Sequence, residues 1–249
     1  MSQNECFLLF GGAGLVGRQV AYAIADKLSP RKIIIASLWQ EEVETVINEL
    51  KTKFADKEIE WEGCWGNIFV REEYAHDSSR NLLESKDKRN SLYNDLFGNL
   101  EETYETSQMV KIIQEHQPDV IIDSINTATA ISYQDAYTAS IVARRDVGNL
   151  FQAVLDEKLE DAQQSHEDAN TAFDTLIISQ ALPQLVRHIQ LLYKSMNEVG
   201  TRLYLKIGTT GTGGMGLNIP YTHSEDKPSV KLMTKTAVAF AHTGLMFLM

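Results

Sequence analysis

FLLFGGAGLVGRQVAY, residues 7–22, is the stretch whose reading decides the fold. Phe7, Leu8, Leu9 and Phe10 form an apolar run of the length of a strand buried on both faces. The run breaks on Gly11 and Gly12, and Gly14 and Gly17 follow at three-residue spacing. From Leu15 onward, Val16, Val20, Ala21 and Ile24 recur with helical period. A strand, a tight glycine turn and a helix start are therefore expected. Glycine suits such a turn because positive backbone angles cost a residue with a β-carbon, and because a side chain would keep a pyrophosphate away from the backbone amides. At a helix N-terminus the first amides lack intrahelical partners and the helix dipole is positive. A phosphate there takes both the hydrogen bonds and the field. The expected contact residues are Gly11, Gly12, Ala13, Gly14, Leu15, Val16 and Gly17.

Working outward, the chain has 249 residues, enough for one large domain. A hydrophobic content of 43% is ordinary for a globular protein. A formal net charge of -11 argues against a nucleic-acid surface, which needs a basic stripe, and against an anionic membrane partner. No run is long enough to span a bilayer, and the N-terminus lacks a signal-peptide pattern. Cys6 and Cys64 give no disulfide framework, so a reducing cytoplasm is the expected compartment and both thiols are read as packing residues. The histidines show no metal-ligand spacing, and no metal is expected.

Ser29-Pro30 stops the first helix, Arg31 to Ser37 reads as a second strand, and Glu41 to Phe54 places Val43, Val46, Ile47 and Leu50 on one helical stripe. This βαβα order favours a parallel sheet with right-handed crossovers. At the end of the second strand, where an acid often holds the adenosine ribose, Ala36-Ser37-Leu38-Trp39 has none and no arginine for a 2′-phosphate. Ser37 is the expected contact there, and the choice between NAD and NADP stays open. Glu58 to Val70 reads as a third strand running into Gly66-Asn67, with Trp61 and Trp65 as core or wall residues. Arg71 to Asn94 reads as an insertion or surface helix with a solvated charged face.

Leu100 to Gln117 resumes helical character, and Asp119 to Ser124 is the fourth strand, with Asn126-Thr127 just beyond its end. Ala136 to Asp174 reads as a polar helical extension or partner-facing arm. Thr175 to Val199 is strongly amphipathic and is expected to pack on the sheet, with Pro183 marking a kink or a start near Ala181. Leu203 to Ile207 is the fifth strand, running into the glycine-rich Gly208 to Gly214. The expected class is α/β: a Rossmann-like doubly wound parallel sheet with helices on both faces. One nucleotide-binding domain over 1–249 is expected, with insertions at about 71–99 and 134–174.

In these residues the chain resembles the extended branch of the short-chain dehydrogenase/reductase superfamily, which includes NAD-dependent epimerases and dehydratases. Gly11, Gly14 and Gly17 match its glycine turn; Asn67 and Ile68 resemble its adenine-contacting segment after the third strand. Asp123 to Thr127, with Ser124, Ile125 and Asn126, resembles the loop lying along the cofactor. Thr209 and Thr210 resemble the hydroxyl pair ending the fifth strand, and Lys235 falls where the family keeps its catalytic lysine. The resemblance implies a nicotinamide cofactor, a small-molecule hydroxyl or carbonyl substrate and a homodimer. The family's tyrosine position holds Lys231, and an ammonium one helical turn from Lys235 is a poor replacement for a phenol. Tyr221 and His223 are the reserve acids or bases. The chain stops in the apolar run Leu245 to Met249, so a fragment, or an end covered by another chain, is expected. Two functions follow: an NAD(P)-dependent oxidoreductase, epimerase or dehydratase using Thr209, Thr210, Tyr221 and Lys235, or a degenerate dinucleotide-binding sensor or scaffold.

Overall fold

The computed structural model describes residues 5–125, 136–156 and 159–207. The apolar run quoted above becomes β1 (Cys6–Phe10), and the chain continues through α1 (Leu15–Lys27), β2 (Lys32–Ser37), α2 (Gln40–Lys53) and β3 (Glu60–Trp65). After a stretch containing a single 3-10 turn, Glu72–Tyr74, come α3 (Ser79–Glu84), α4 (Lys86–Phe97), α5 (Leu100–Thr106), α6 (Gln108–His116) and β4 (Val120–Asp123). The remaining elements are α7 (Ala136–Leu155), α8 (Leu159–Ile178), α9 (Ala181–Val199) and β5 (Leu203–Lys206).

The five strands are parallel in the order β3-β2-β1-β4-β5, with helices in the crossovers. This is a Rossmann-like α/β fold. β1 lies at its centre because all five of its residues are buried, which only a strand covered on both faces tolerates. Alternate residues divide the sheet by face. Phe7, Leu9, Ile33, Ile35, Val120 and Ile122 share one core with Ala21, Ile24 and Ala25 of α1 and Val43, Val46, Ile47 and Leu50 of α2. Leu8, Ile34 and Ile121 point to the opposite face and are fully buried. Trp61 and Trp65 pack against the first core, as the sequence predicts.

The chain divides into two compact units, one of 1–66, 116–129 and 199–249, holding the whole sheet with α1 and α2, and one of 67–115 and 130–198. Both stretches expected as insertions fall in the second unit. Its Arg71 to Asn94 segment is more than a solvated face: Leu82, Leu92, Val70 and Ile178 form a core of their own. Arg89 is buried there and donates to the carbonyls of Leu83 (2.7 Å) and Glu84 (3.1 Å) and to Thr171 Oγ1 (2.9 Å). A local charge pattern cannot reveal this, since two acceptors are backbone carbonyls and the third, Thr171, is brought in from far along the chain by folding.

Leu100 to Gln117 is two helices, because Ser107 at the junction is extended. Over Thr175 to Val199, of the two alternatives offered by Pro183, the structure has the helix start near Ala181 rather than a kink. Residues up to Ile178 end α8, and α9 begins at Ala181, where Pro183 sits in a first turn that needs no amide donor. The apolar stripe expected to pack inward is turned out: Leu185, Val186, Ile189 and Tyr193 are exposed, while the buried face carries Gln184, His188, Leu191, Leu192 and Ser195. Periodicity fixes the existence of a stripe but not which side of the helix its own unit covers.

Candidate nucleotide site at the C-terminal edge of the sheet

Phe10, the last residue of β1, is paired with Ala36 on one side and Asp123 on the other. Gly11 follows with φ +72°, the left-handed region that glycine enters without strain. The Gly12 amide donates to the carbonyls of Leu9 (3.2 Å) and Ala36 (3.0 Å), and the Gly14 amide to that of Gly11 (3.0 Å). These bonds turn the chain within four residues from strand to helix. Gly14 caps α1 in an extended conformation, without a side-chain hydrogen bond, and the first turn of α1 carries no acid. The first amides of α1, at Leu15, Val16 and Gly17, therefore receive no side-chain cap from Gly14, and the first turn itself brings no carboxylate to the positive end of the helix dipole.

The glycines serve different ends. A β-carbon on Gly17 would lie 2.2 Å from the Gly11 carbonyl oxygen, so this residue is what lets α1 cross the turn at close range. One on Gly11 would lie 2.9 Å from Ser124 Oγ and 3.1 Å from the Ile125 amide nitrogen. At Gly14 the nearest atom would be the Gly11 oxygen, 3.3 Å away, so packing makes a far weaker demand for glycine there. A ligand approaching from outside is the remaining reason for a bare backbone at that position.

Ser124 and Ile125 close the turn from the β4 side. Ser124 Oγ donates to the carbonyls of Phe10 (3.0 Å) and Gly11 (3.2 Å), and its amide donates to Phe10 as well (2.9 Å). The Ile125 amide donates to Asp123 Oδ1 (2.9 Å), and its carbonyl accepts from Lys206 Nζ (2.8 Å). Asp123 is the centre of this set. Its side chain is 2% exposed, and Oδ2 accepts from both Tyr204 Oη and Lys206 Nζ at 2.8 Å. Burial, then the nearby Asp123 carboxylate, raises the Tyr204 phenol well above its ordinary range, so the phenol stays neutral and acts as a donor. Sequence reasoning missed Asp123, Tyr204 and Lys206 as a group. The signals were an acid ending the apolar VIID strand and the alternation of LYLK, which puts Tyr204 and Lys206 on one face.

At the end of β2, Ser37 is half-buried and its hydroxyl lies 3.4 Å from Glu42 Oε2. The acid that the strand end lacks thus arrives from the first turn of α2. Asn67 and Ile68 open the second unit. The Asn67 amide donates to the Ala75 carbonyl (2.7 Å), its Oδ1 accepts the Phe69 amide (3.0 Å), and Ile68 is buried. Asn126, Thr209, Thr210, Tyr221, His223, Lys231 and Lys235 lie outside the described residues. Among the described residues no group of three or more metal-ligating side chains occurs, and no helix is long and apolar enough to cross a membrane. Cys6 is buried, and that burial raises its thiol above the ordinary range, which suits packing rather than nucleophilic attack. The second unit has a cavity of about 30 Å³ beside Arg71, Asp95, Gln184, Arg187 and His188. This is water-sized, far below the several hundred cubic ångströms a cofactor fills.

No protein-family model matches the chain, and no curated relative matches it. Among solved structures it is similar to Pen from Bacillus thuringiensis, at 11% identity over 85% of this chain with a TM-score of 0.31. The chain spans about half of that protein, 52% of its length. A 7beta-hydroxysteroid dehydrogenase is 10% identical over 93% of this chain and 96% of its own, with a TM-score of 0.31. L-sorbose reductase from Gluconobacter frateurii, solved with NADPH and L-sorbose, is 11% identical over 83% of this chain and 97% of its own, with a TM-score of 0.26. Likenesses this distant transfer no residue roles.

Proposed function

We propose that the first unit binds a nicotinamide dinucleotide, with its diphosphate on the Gly11 to Gly17 turn, and that the protein is an oxidoreductase acting on a hydroxyl or carbonyl of a small molecule. The observation that carries this is the uncapped N-terminus of α1 at the point where the sheet order reverses. β2 and β3 extend to one side of β1, and β4 and β5 to the other, so the crossovers diverge at the C-terminal edge between β1 and β4. Ligands of doubly wound sheets bind in that crevice. The amides of Leu15, Val16 and Gly17 would hold the diphosphate, and Ser37 with Glu42 would face the adenosine ribose. The Glu42 carboxylate would repel a 2′-phosphate, which favours NAD over NADP by tenfold or more, about 1.4 kcal/mol. Bound there, the nicotinamide supplies or accepts the hydride. Thr209, Thr210, Tyr221 and Lys235 are our candidates for orienting the substrate oxygen and moving its proton. An epimerase or dehydratase cycle is the narrower form of this reading. A homodimer and a cytoplasmic setting belong to it too, the first supported by the exposed apolar stripe of α9 and the second by a sequence whose two cysteines, Cys6 and Cys64, give no disulfide framework.

Lys231, standing where the resembled family places its tyrosine, supports a second reading, a dinucleotide sensor or scaffold without turnover. Tryptophan fluorescence tests the shared premise, because Trp39, 56% exposed, follows directly on the end of β2. Titration with NADH is expected to quench saturably and more tightly than with NADPH. Gly14→Ala is expected to leave the melting temperature nearly unchanged and to weaken NADH at least tenfold. Absence of quenching by both nucleotides refutes the proposal. Quenching without turnover on a panel of carbonyl substrates selects the sensor.

A further inference from the structure

The dinucleotide reading uses the turn but leaves unexplained why a buried carboxylate stands directly behind it. β4 is buried at all four positions, and its last residue is a charged one. Burying a charge is costly unless it is paired and hydrogen-bonded, so the contacts this carboxylate makes are what its position has to be explained by. What the carboxylate does is fix Ile125 from both sides. Asp123 Oδ1 takes the Ile125 amide at 2.9 Å, while Asp123 Oδ2 holds Lys206, whose ammonium also takes the Ile125 carbonyl at 2.8 Å. Tyr204 Oη fills the remaining side of Oδ2.

Ile125 and Ser124 in turn bear on Gly11. A β-carbon at Gly11 would sit 3.1 Å from the Ile125 nitrogen, and the Ser124 hydroxyl takes the carbonyls of Phe10 and Gly11. The connections from Asp123 to the turn thus run through hydrogen bonds to Ile125 and the close approach of Ser124 and Ile125 to Gly11. We propose that Asp123, with Lys206 and Tyr204, is a positioning cluster that sets the shape of the Gly11 to Gly14 turn, and so presents the amides that follow it, at Leu15, Val16 and Gly17, to an anionic ligand. That ligand is a dinucleotide diphosphate if the function proposed above is right. The cluster joins the ends of β4 and β5 to a turn that leaves β1, so the turn's geometry depends on residues more than a hundred positions away in sequence. It acts through Ser124 and Ile125, which is why its members are positioning rather than catalytic residues.

Amide hydrogen exchange, measured without nucleotide on the full chain, tests the cluster apart from the function. The Gly12 and Gly14 amides are bonded within the turn and Ile34 lies in the middle of β2, so each molecule carries its own reference. In Lys206→Met, which leaves strand pairing intact, Gly12 and Gly14 are expected to exchange at least tenfold faster relative to Ile34, and Lys206→Arg is expected to restore most of the protection. Asp123→Asn is expected to do the same as Lys206→Met, and if it does not fold, Lys206→Met alone decides. Unchanged Gly12 and Gly14 exchange relative to Ile34 overturns the proposal. NADH affinity provides a second readout: a tenfold rise in Kd in Lys206→Met at unchanged kcat supports positioning, and an unchanged Kd overturns it. A wild-type chain that binds no NADH sinks the proposed function, while the exchange result still judges the cluster.

Discussion

Both rims of the sheet carry a buried acid beside a cation, and they use it differently. At the N-terminal rim Glu5, 5% exposed, accepts from Arg202 at 2.7 Å, but the Arg202 side chain is 59% exposed. Around it Asp119 takes the Cys6 amide at 2.8 Å, and Lys32 bonds both Glu60 and Glu62. These contacts link strand ends across the rim, Glu5 to Arg202 spanning from beside β1 to beside β5, with one partner of each pair reaching water. At the C-terminal rim Asp123 is almost wholly enclosed, and its partners hold a loop against a glycine at positive φ. The first rim ties strands together; the second gives a turn its shape. Solvent screens the first arrangement, whereas the enclosed second one is screened much less.

The largest expected effect is at the enclosed acid. Asp123→Leu removes the acceptor of Tyr204, Lys206 and the Ile125 amide together, and a loss of about 3 kcal/mol in urea unfolding is expected. A loss too small to measure would show that the two rims are alike. Gly17→Ala comes next: its β-carbon would stand 2.2 Å from a backbone oxygen that cannot rotate away, and a cost of roughly 1–3 kcal/mol is expected. Glu5→Gln should shift the unfolding midpoint only slightly, and high salt should abolish the difference, because Arg202 remains hydrated when its partner loses charge. A salt-independent loss comparable to that of Asp123→Leu would erase the contrast.

The smallest effect is a pH dependence at the N-terminal rim. The hydrogen bond from Lys32 holds the Glu62 carboxyl below its ordinary value, with burial opposing and His116 assisting. Burial pushes the Lys32 ammonium down, but hydrogen bonds to Glu62 and Glu60 prevail and raise it. A depressed acid gives its stabilisation above the unfolded value near ~4.3 and loses it as pH falls through the lower folded value. A raised lysine gives its stabilisation below the unfolded value near ~10.4 and loses it as pH rises through the higher folded one. Glu62→Gln is therefore expected to flatten the acid limb of a stability profile slightly, leaving the plateau between these limits in place. A steeper acid limb in that variant would contradict the assignment.

Where the physics is local, the sequence was legible. Phe7 to Phe10, the glycine spacing and the period from Val16 to Ile24 predicted β1, the turn and α1, and Asp119 to Ser124 predicted β4, Val120–Asp123, to within a residue at each end. Of the candidate site, the glycine turn and the helix start behind it were legible as structure, and the acid near Ser37 was not. Glu42 was counted in α2, and only the turn from β2 into α2 brings its carboxylate back to the strand end. Arg89 was read as surface charge because two of its acceptors are main-chain carbonyls, which leave no trace in a pattern of side chains, and the third, Thr171, is distant in sequence.

By itself, then, the sequence determined a parallel sheet built from a strand, a glycine turn and a helix, since strand and helix periods and the backbone freedom of glycine act over fewer than about a dozen residues. Tertiary structure alone decided which side of α9 is covered, how Arg89 is satisfied, and that Asp123, Tyr204 and Lys206 meet behind the turn. Strand register places Asp123 beside both Phe10 and Lys206, and register is settled by packing between segments far apart in the chain.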